Sequence, residues 1–147
     1  MGDLQVNQLT LSNWKVFSDN SKLVFKYGEE SNEIQSTDDY TLQFYNSIPS
    51  ENIKSNYSIV FNKVFFHFES IIYNKENGRT IECQLPINAA SNAIGNAIIK
   101  NPFDSSFQSN MATVKIENNL LRVRSYLLDK KHAFLVHVTV DIVYDKA

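Results

Sequence analysis

Apolar and polar residues alternate with a period of two along much of this chain. The longest such run covers residues 133–144, where every second residue from Phe134 is apolar and polar residues such as His137 and Asp141 fall on the other side. Successive side chains of a strand point to opposite faces of a sheet, so this run predicts a long β-strand with one face against a core.

Shorter alternating runs predict further strands. They lie at 23–27, 40–44, 57–61, 64–68, 80–85, 112–116 and 121–125. Asn118-Asn119 and Asn77-Gly78 separate pairs of such runs, and asparagine and glycine tolerate the positive φ of tight turns. The sequence therefore predicts two hairpins, one around each dipeptide.

This pattern predicts an all-β fold: an antiparallel, jelly-roll-like β-sandwich with a small N-terminal β element. We expect one compact unit made of an N-terminal element, 1–48, and the sandwich, 49–147. The stretch 28–39 is polar and acidic, which is typical of a loop or linker between the first strands and the rest.

One segment has an ambiguous pattern. Apolar residues from Ala89 to Ile98 recur at helical spacing, but Gly95 and interspersed asparagines weaken a helix. The segment is interpreted either as a short helix or as a loop or extended stretch.

Composition excludes several classes of function. The formal net charge is −2 and basic residues are scattered, so we expect no binding to nucleic acid. No apolar run follows Met1 and the apolar stretches are short, so we expect neither a signal peptide nor membrane insertion.

The sequence contains no pattern that predicts catalysis, a cofactor or a metal, and the expected protein is not an enzyme. Four glycines cannot assemble a nucleotide-binding loop. His137 and Asp141 share a strand face but lie about 13 Å apart, and His67 approaches His137 only if their strands are neighbours in a suitable register. The single cysteine, Cys83, falls on an inward strand face and is expected to be buried.

The strand around residue 66 is apolar on both sides, unlike the other predicted strands. Its second face carries Phe65, His67, Ile71 and Tyr73. A strand covered twice is either central in a sandwich or buried against another subunit. These four residues are therefore a candidate subunit interface, with packing between two sheets as the alternative.

Two further features are candidates for recognition. The turn-rich stretch 90–110 contains Ile98, Ile99 and Phe103, which are interpreted as residues of a recognition loop or as anchors for a neighbouring molecule. Trp14 is either a platform for stacking a sugar or part of ordinary strand packing.

The order of these elements resembles a known class of viral proteins. An aromatic strand, Val64-Phe65-Phe66-His67-Phe68, is followed by an Asn-Gly break and by a strand that ends in Leu85-Pro86. A long loop, a hairpin from Ala112 to Val123 and a terminal strand complete the order, which is similar to that of head domains of phage tail fibres and related virion appendages. The opening around Trp14 is similar to that of virion proteins of phages and large DNA viruses.

The resemblance implies a viral structural protein: a fibre or spike head, or a minor capsid protein, located in the virion and assembled in the host cytoplasm. It implies a homo-oligomer, typically a trimer, that contacts other virion proteins and in some cases a host-surface glycan or protein. It implies no catalytic residues and no cofactor. The alternative function is a carbohydrate-binding module or lectin-like β-sandwich.

Overall fold

A computed structural model of the chain describes residues 8–45, 48–73, 80–100, 110–124 and 135–147. In these ranges it contains eleven β-strands: β1 (Gln8–Leu11), β2 (Trp14–Asp19), β3 (Lys22–Tyr27), β4 (Glu30–Thr37), β5 (Ile48–Val60), β6 (Lys63–Tyr73), β7 (Thr80–Gln84), β8 (Ala93–Lys100), β9 (Asn110–Glu117), β10 (Leu120–Arg124) and β11 (Leu135–Asp145). Within the described ranges no helix is long and apolar enough to cross a membrane.

All eleven strands belong to one antiparallel sheet, and the prediction of an all-β, sandwich-like fold is confirmed. Their order across the sheet is β1-β2-β3-β4-β5-β6-β11-β8-β9-β10-β7, so the sheet is open, with β1 and β7 at its edges. The layers therefore come from one sheet that curls over its own core.

The segment 39–45 crosses the gap between edge strand β7 and strand β5. The Tyr40 amide donates to the Ser55 carbonyl of β5, while Phe44 forms a bridge with Cys83 of β7. The Phe44 ring also lies 6.1 Å from the ring of Phe68 on β6, although β6 and β7 are five places apart in the sheet order. These contacts show that the sheet curls until its two halves share one core.

The centre of the sheet is the pair β6 and β11, each of 11 residues, which match along their whole length from Lys63–Asp145 to Tyr73–Leu135. Both strands alternate strictly between buried and more exposed positions. Their inward residues, such as Phe68 and Val138, are fully buried. The period of two in the sequence thus predicts these strands and their faces correctly.

One predicted hairpin is confirmed and the other is wrong. Asn118 and Asn119 both have positive φ, and they join β9 to its partner β10. The strands on either side of Asn77-Gly78, β6 and β7, are not partners, because β6 pairs with β5 and β11 while β7 pairs with β10. The dipeptide itself lies outside the described residues.

The expectation of a loop or linker at 28–39 is also wrong, because most of this stretch is the strand β4. It pairs with β3 on one side and with β5 on the other. The residues of β4 are largely polar and do not alternate with apolar ones. Backbone hydrogen bonds to the two neighbouring strands keep this segment extended.

The ambiguous segment contains the extended strand β8, which pairs with β11 and β9. Its inward side carries the small residues Ala93, Gly95 and Ala97. A Cβ added at Gly95 would lie 2.9 Å from Cγ1 of Ile142, so the strand approaches its neighbour more closely than a larger residue allows. The spacing that resembles a helix comes from inward Ala93 and Ala97 together with outward Ile94 and Ile98.

Strands β1 to β4 form a meander that carries little core of its own. Val24 is the only side chain of these four strands among the buried hydrophobic residues. The meander joins the rest of the sheet through β4 and β5, where Ile34 to Thr37 pair with Val60 to Tyr57. Glu33 adds ion pairs of 3.3 Å to Lys22 and to Lys146 near the end of the chain.

The ion pairs of Glu33 affect its titration. Burial raises the pKa of the Glu33 carboxyl, but the ammonium groups of Lys146 and Lys22 outweigh burial, so that its pKa lies below the ordinary value. The pairs therefore stabilise the fold above the ordinary carboxyl pKa, and this contribution is lost as the pH falls through the lowered value.

Candidate functional site

The four residues predicted as a subunit interface lie together on the outer face of β6. Phe65 and Tyr73 are 46% and 40% exposed, while His67 and Ile71 are half-buried. Within the described part of the chain no second layer covers Phe65 and Tyr73, and packing between two sheets, the alternative, stays a prediction. An interface with another subunit at these residues stays a prediction.

Two histidine–carboxylate pairs occupy the same outer face. His67 Nδ1 lies 2.6 Å from Asp141 Oδ1, directly across the β6–β11 ladder. His137 Nε2 lies 2.6 Å from Glu69 Oε1 in a diagonal contact between the same strands. The strands of His67 and His137 are neighbours, but the two histidines do not face each other. The register places His67 opposite Asp141 and His137 opposite Ile71.

This arrangement links the two central strands and does not form a metal centre. Among the described residues, no group of three or more histidine, cysteine or carboxylate side chains is placed to hold a metal ion. His67 and His137 each contact one carboxylate, and such partly exposed pairs contribute modestly to stability.

Residues 93–100 of the predicted recognition loop form strand β8, so the prediction needs correction there, while residues 101–109 lie outside the described residues. Ile98 is 49% exposed on the outer face, but Ile99 is fully buried in the core. Neighbouring residues of a strand point to opposite sides, so Ile98 and Ile99 cannot both serve one surface. Phe103 lies outside the described residues.

A second group on the outer face is basic. Arg122 lies between two carboxylates, with Nη1 at 3.2 Å from Glu117 and Nε at 3.5 Å from Glu82. Arg124 and Lys115 line the same shallow depression. The two carboxylates offset part of the positive charge, which is the arrangement of an ordinary solvated strand face.

Cys83 is fully buried between β10 and the segment 39–45, as the sequence predicts. Burial raises the pKa of its thiol to about 12, so the thiolate that reacts with electrophiles is scarce at neutral pH. Burial likewise raises the pKa of Tyr40 to about 12. The Cys83 thiol is therefore a buried core group that is not placed to react with a substrate.

We expect Cys83 in the native protein to resist a disulfide reagent such as DTNB at pH 8. In 6 M guanidinium chloride the same thiol should react at least about 100-fold faster, because unfolding returns its pKa to the ordinary range and removes the steric barrier. Absorbance of the released thiolate measures both rates. Equal rates in the two conditions would contradict the buried position.

Seven of the fourteen exposed large hydrophobic side chains of the described residues lie on one side of the meander and its junction with β5. Cross-strand partners share a face, so the pairs Leu11–Trp14 and Trp14–Tyr27 place these side chains on one side. We call this side the meander face; its exposed residues are Leu9, Leu11, Trp14, Leu23, Tyr27, Val60 and Phe61, with half-buried Val16, Phe25 and Ile34 between them.

Aromatic contacts fix the two ends of the meander face. Trp14 and Tyr27 have ring centroids 4.9 Å apart at 46°, and each is 44% exposed. Phe25 and Phe61 meet edge to face at 5.5 Å. Trp14 is thus packed against a neighbouring strand, as one interpretation of the sequence holds, while nearly half of it remains open to solvent.

Phe61 has an unfavourable backbone conformation in the turn between β5 and β6. Its φ is 56°, a left-handed value that glycine adopts freely and that is an outlier for a bulky residue. The cost is about 1–2 kcal/mol for a residue with a Cβ. The fold therefore keeps a 42% exposed phenylalanine at a position that favours glycine.

The fold and the meander face define an all-β protein with a curled antiparallel sheet and one large uncovered apolar face. Comparison with protein-family models, with curated proteins and with solved structures gives no match.

Proposed function

We propose that this protein is a structural component that acts by self-assembly, with no enzymatic activity, as part of a virion surface appendage. The observation that carries the proposal is the meander face, an exposed apolar surface on a sheet extension with almost no core of its own. Surfaces of this kind mark sites where proteins bind other proteins. Association would bury these side chains and stabilise the meander.

The viral context rests on the resemblance of the strand order to head domains of phage tail fibres and related appendages. In that context the partners are further copies of the chain, other virion proteins, and a host-surface glycan or protein. The location is then the virion, after assembly in the host cytoplasm. Fibre or spike head and minor capsid protein are both compatible with a self-assembling β-fold.

Size-exclusion chromatography with multi-angle light scattering tests the self-assembly. We expect a mass of three times the 16.9 kDa of one chain, in keeping with the trimer that the resemblance implies. The control is the same measurement in 2 M urea at several protein concentrations, where the oligomer should dissociate reversibly. A monomer from 1 μM to 500 μM would contradict the proposal.

The exposed Trp14–Tyr27 pair specifically favours a second function, carbohydrate binding. Aromatic rings of this kind offer an apolar surface to the face of a sugar, and each of the two rings is 44% exposed. A glycan array with the wild type and Trp14→Ala tests it. Binding by the monomer that Trp14→Ala abolishes would favour the lectin-like function.

A further inference from the structure

We infer that the meander face packs against the meander faces of the other copies around the axis of the oligomer, and that this contact is the main subunit interface. The inference rests on the proposed self-assembly and identifies the surface that carries it. It differs from the sequence prediction, which places the interface at Phe65, His67, Ile71 and Tyr73 on β6.

Charge is the first argument for a second copy as the occupant. The charged side chains Lys15, Lys22, Lys26 and Glu33 point to the opposite side of the meander, as the strand register shows. Within β1 to β4, Glu30 at the rim is the charged residue on the meander face, and beside Val60 the face is bordered by Lys63, which forms an ion pair with Asp145. Two copies of this face can therefore pack together without bringing like charges into contact. A strongly acidic or basic partner would find no complementary charges on it.

Area is the second argument. The seven exposed side chains present on the order of 600 Å², estimated from their exposed fractions and typical side-chain areas. A stable interface of standard size buries about 800 Å² on each partner, and the largest apolar patch of a typical monomer is about 300–600 Å². The half-buried Val16, Phe25 and Ile34 add to the same surface, so it lies at the upper end of the patches that monomers expose and approaches the area of one standard interface.

Phe61 supplies the third argument. Its strained backbone costs stability in the isolated chain, and strain of this kind is commonly retained where a side chain is needed for binding. Its contact with Phe25 holds the ring on the meander face. Burial of the exposed part of Phe61 against another copy offsets the cost of the turn.

Three full-length variants separate the two candidate interfaces. Trp14→Thr and Phe65→Thr are a matched pair, since the two aromatic residues are 44% and 46% exposed on outward strand faces and threonine suits a strand. Phe61→Gly removes a meander-face ring while it relieves the turn, so this variant should fold at least as readily as the wild type. Circular dichroism verifies the fold of each variant.

The chain has one tryptophan, so its fluorescence reports directly on the meander face. We expect the emission of Trp14 in the wild type to shift to shorter wavelength with concentration, as the oligomer forms. Sedimentation equilibrium should show self-association weakened roughly 30-fold or more in Trp14→Thr and Phe61→Gly, which corresponds to a hot-spot residue. Phe65→Thr should change it less than about threefold.

The outcomes distinguish failure of this inference from failure of the proposed function. An oligomer that Phe65→Thr dissociates and the meander variants leave intact would overturn the inference and leave self-assembly in place. A monomeric wild type would overturn both. If the Trp14 emission of that monomer shifts to shorter wavelength when phosphatidylcholine vesicles are added, the meander face binds a lipid surface. If the emission does not shift, the meander face binds a different protein.

Discussion

Phe68→Ala is expected to lower the free energy of unfolding by about 3–5 kcal/mol. Phe68 is fully buried at the centre of the sheet, with its ring against Phe66 at 5.5 Å and against Phe44 at 6.1 Å. The substitution removes the contact between Phe68 and Phe44 and leaves a cavity that a curled sheet cannot easily close. Urea denaturation followed by circular dichroism at 25 °C gives the change.

The matched control is Phe65→Ala, on the same strand but on the outer face. Phe65 is 46% exposed, so its truncation should cost about 1 kcal/mol or less when the protein is monomeric. The comparison is made at two protein concentrations, because a residue in a subunit interface would cost more where the oligomer forms. Equal losses for both variants at low concentration would contradict the assignment of the two faces.

The sequence predicts the central strands well because a strong physical constraint acts on them. A one-residue slip of β6 or β11 would move its whole apolar set to the wrong face, so every second residue, from Val136 to Tyr144 for example, is held to the core. The turn at Asn118-Asn119 is equally local, since asparagine tolerates the positive φ that the turn requires.

The features that the sequence does not predict depend on tertiary structure. Strand β4 is polar, and its place follows from hydrogen bonds to β3 and β5 rather than from burial. Strand β7 follows β6 in the chain but pairs with β10, because β11 matches the full length of β6. Local turn signals such as Asn77-Gly78 carry no information on such distant partners.

The candidate site shows the same limit. Alternation indicates correctly that Leu23, Phe25 and Tyr27 share one face, but that Trp14 lies on the same face follows only from the register of β2 with β3. It does not indicate whether that face is covered, because an apolar strand face facing a core and one facing a partner have the same pattern. The sequence signal that identifies the meander face is the position of the charges on the opposite side, from Lys15 to Lys26.

Removal of residues 1–37 is expected to leave a folded protein, whereas removal of residues 1–47 is expected to abolish cooperative folding. The first deletion takes away β1 to β4, which contribute Val24 alone to the buried hydrophobic residues. The second also removes Leu42, which is 8% exposed, and Phe44, which covers Phe68. Each of these apolar side chains stabilises by about 1.5–3 kcal/mol.

Together the two side chains contribute about 3–6 kcal/mol, which reaches the lower end of the whole stability of a domain, about 5–15 kcal/mol. The second deletion also removes Phe44, which forms a β-bridge with Cys83. The rate at which Cys83 reacts with DTNB therefore measures how far the deletion exposes the core. We expect the shorter deletion to keep the thiol protected and to give a single thermal transition by circular dichroism, and the longer one to expose the thiol. If both deletions keep it protected, the segment 39–45 does not close the sheet, and the predicted boundary near residue 48 is the better description of the fold.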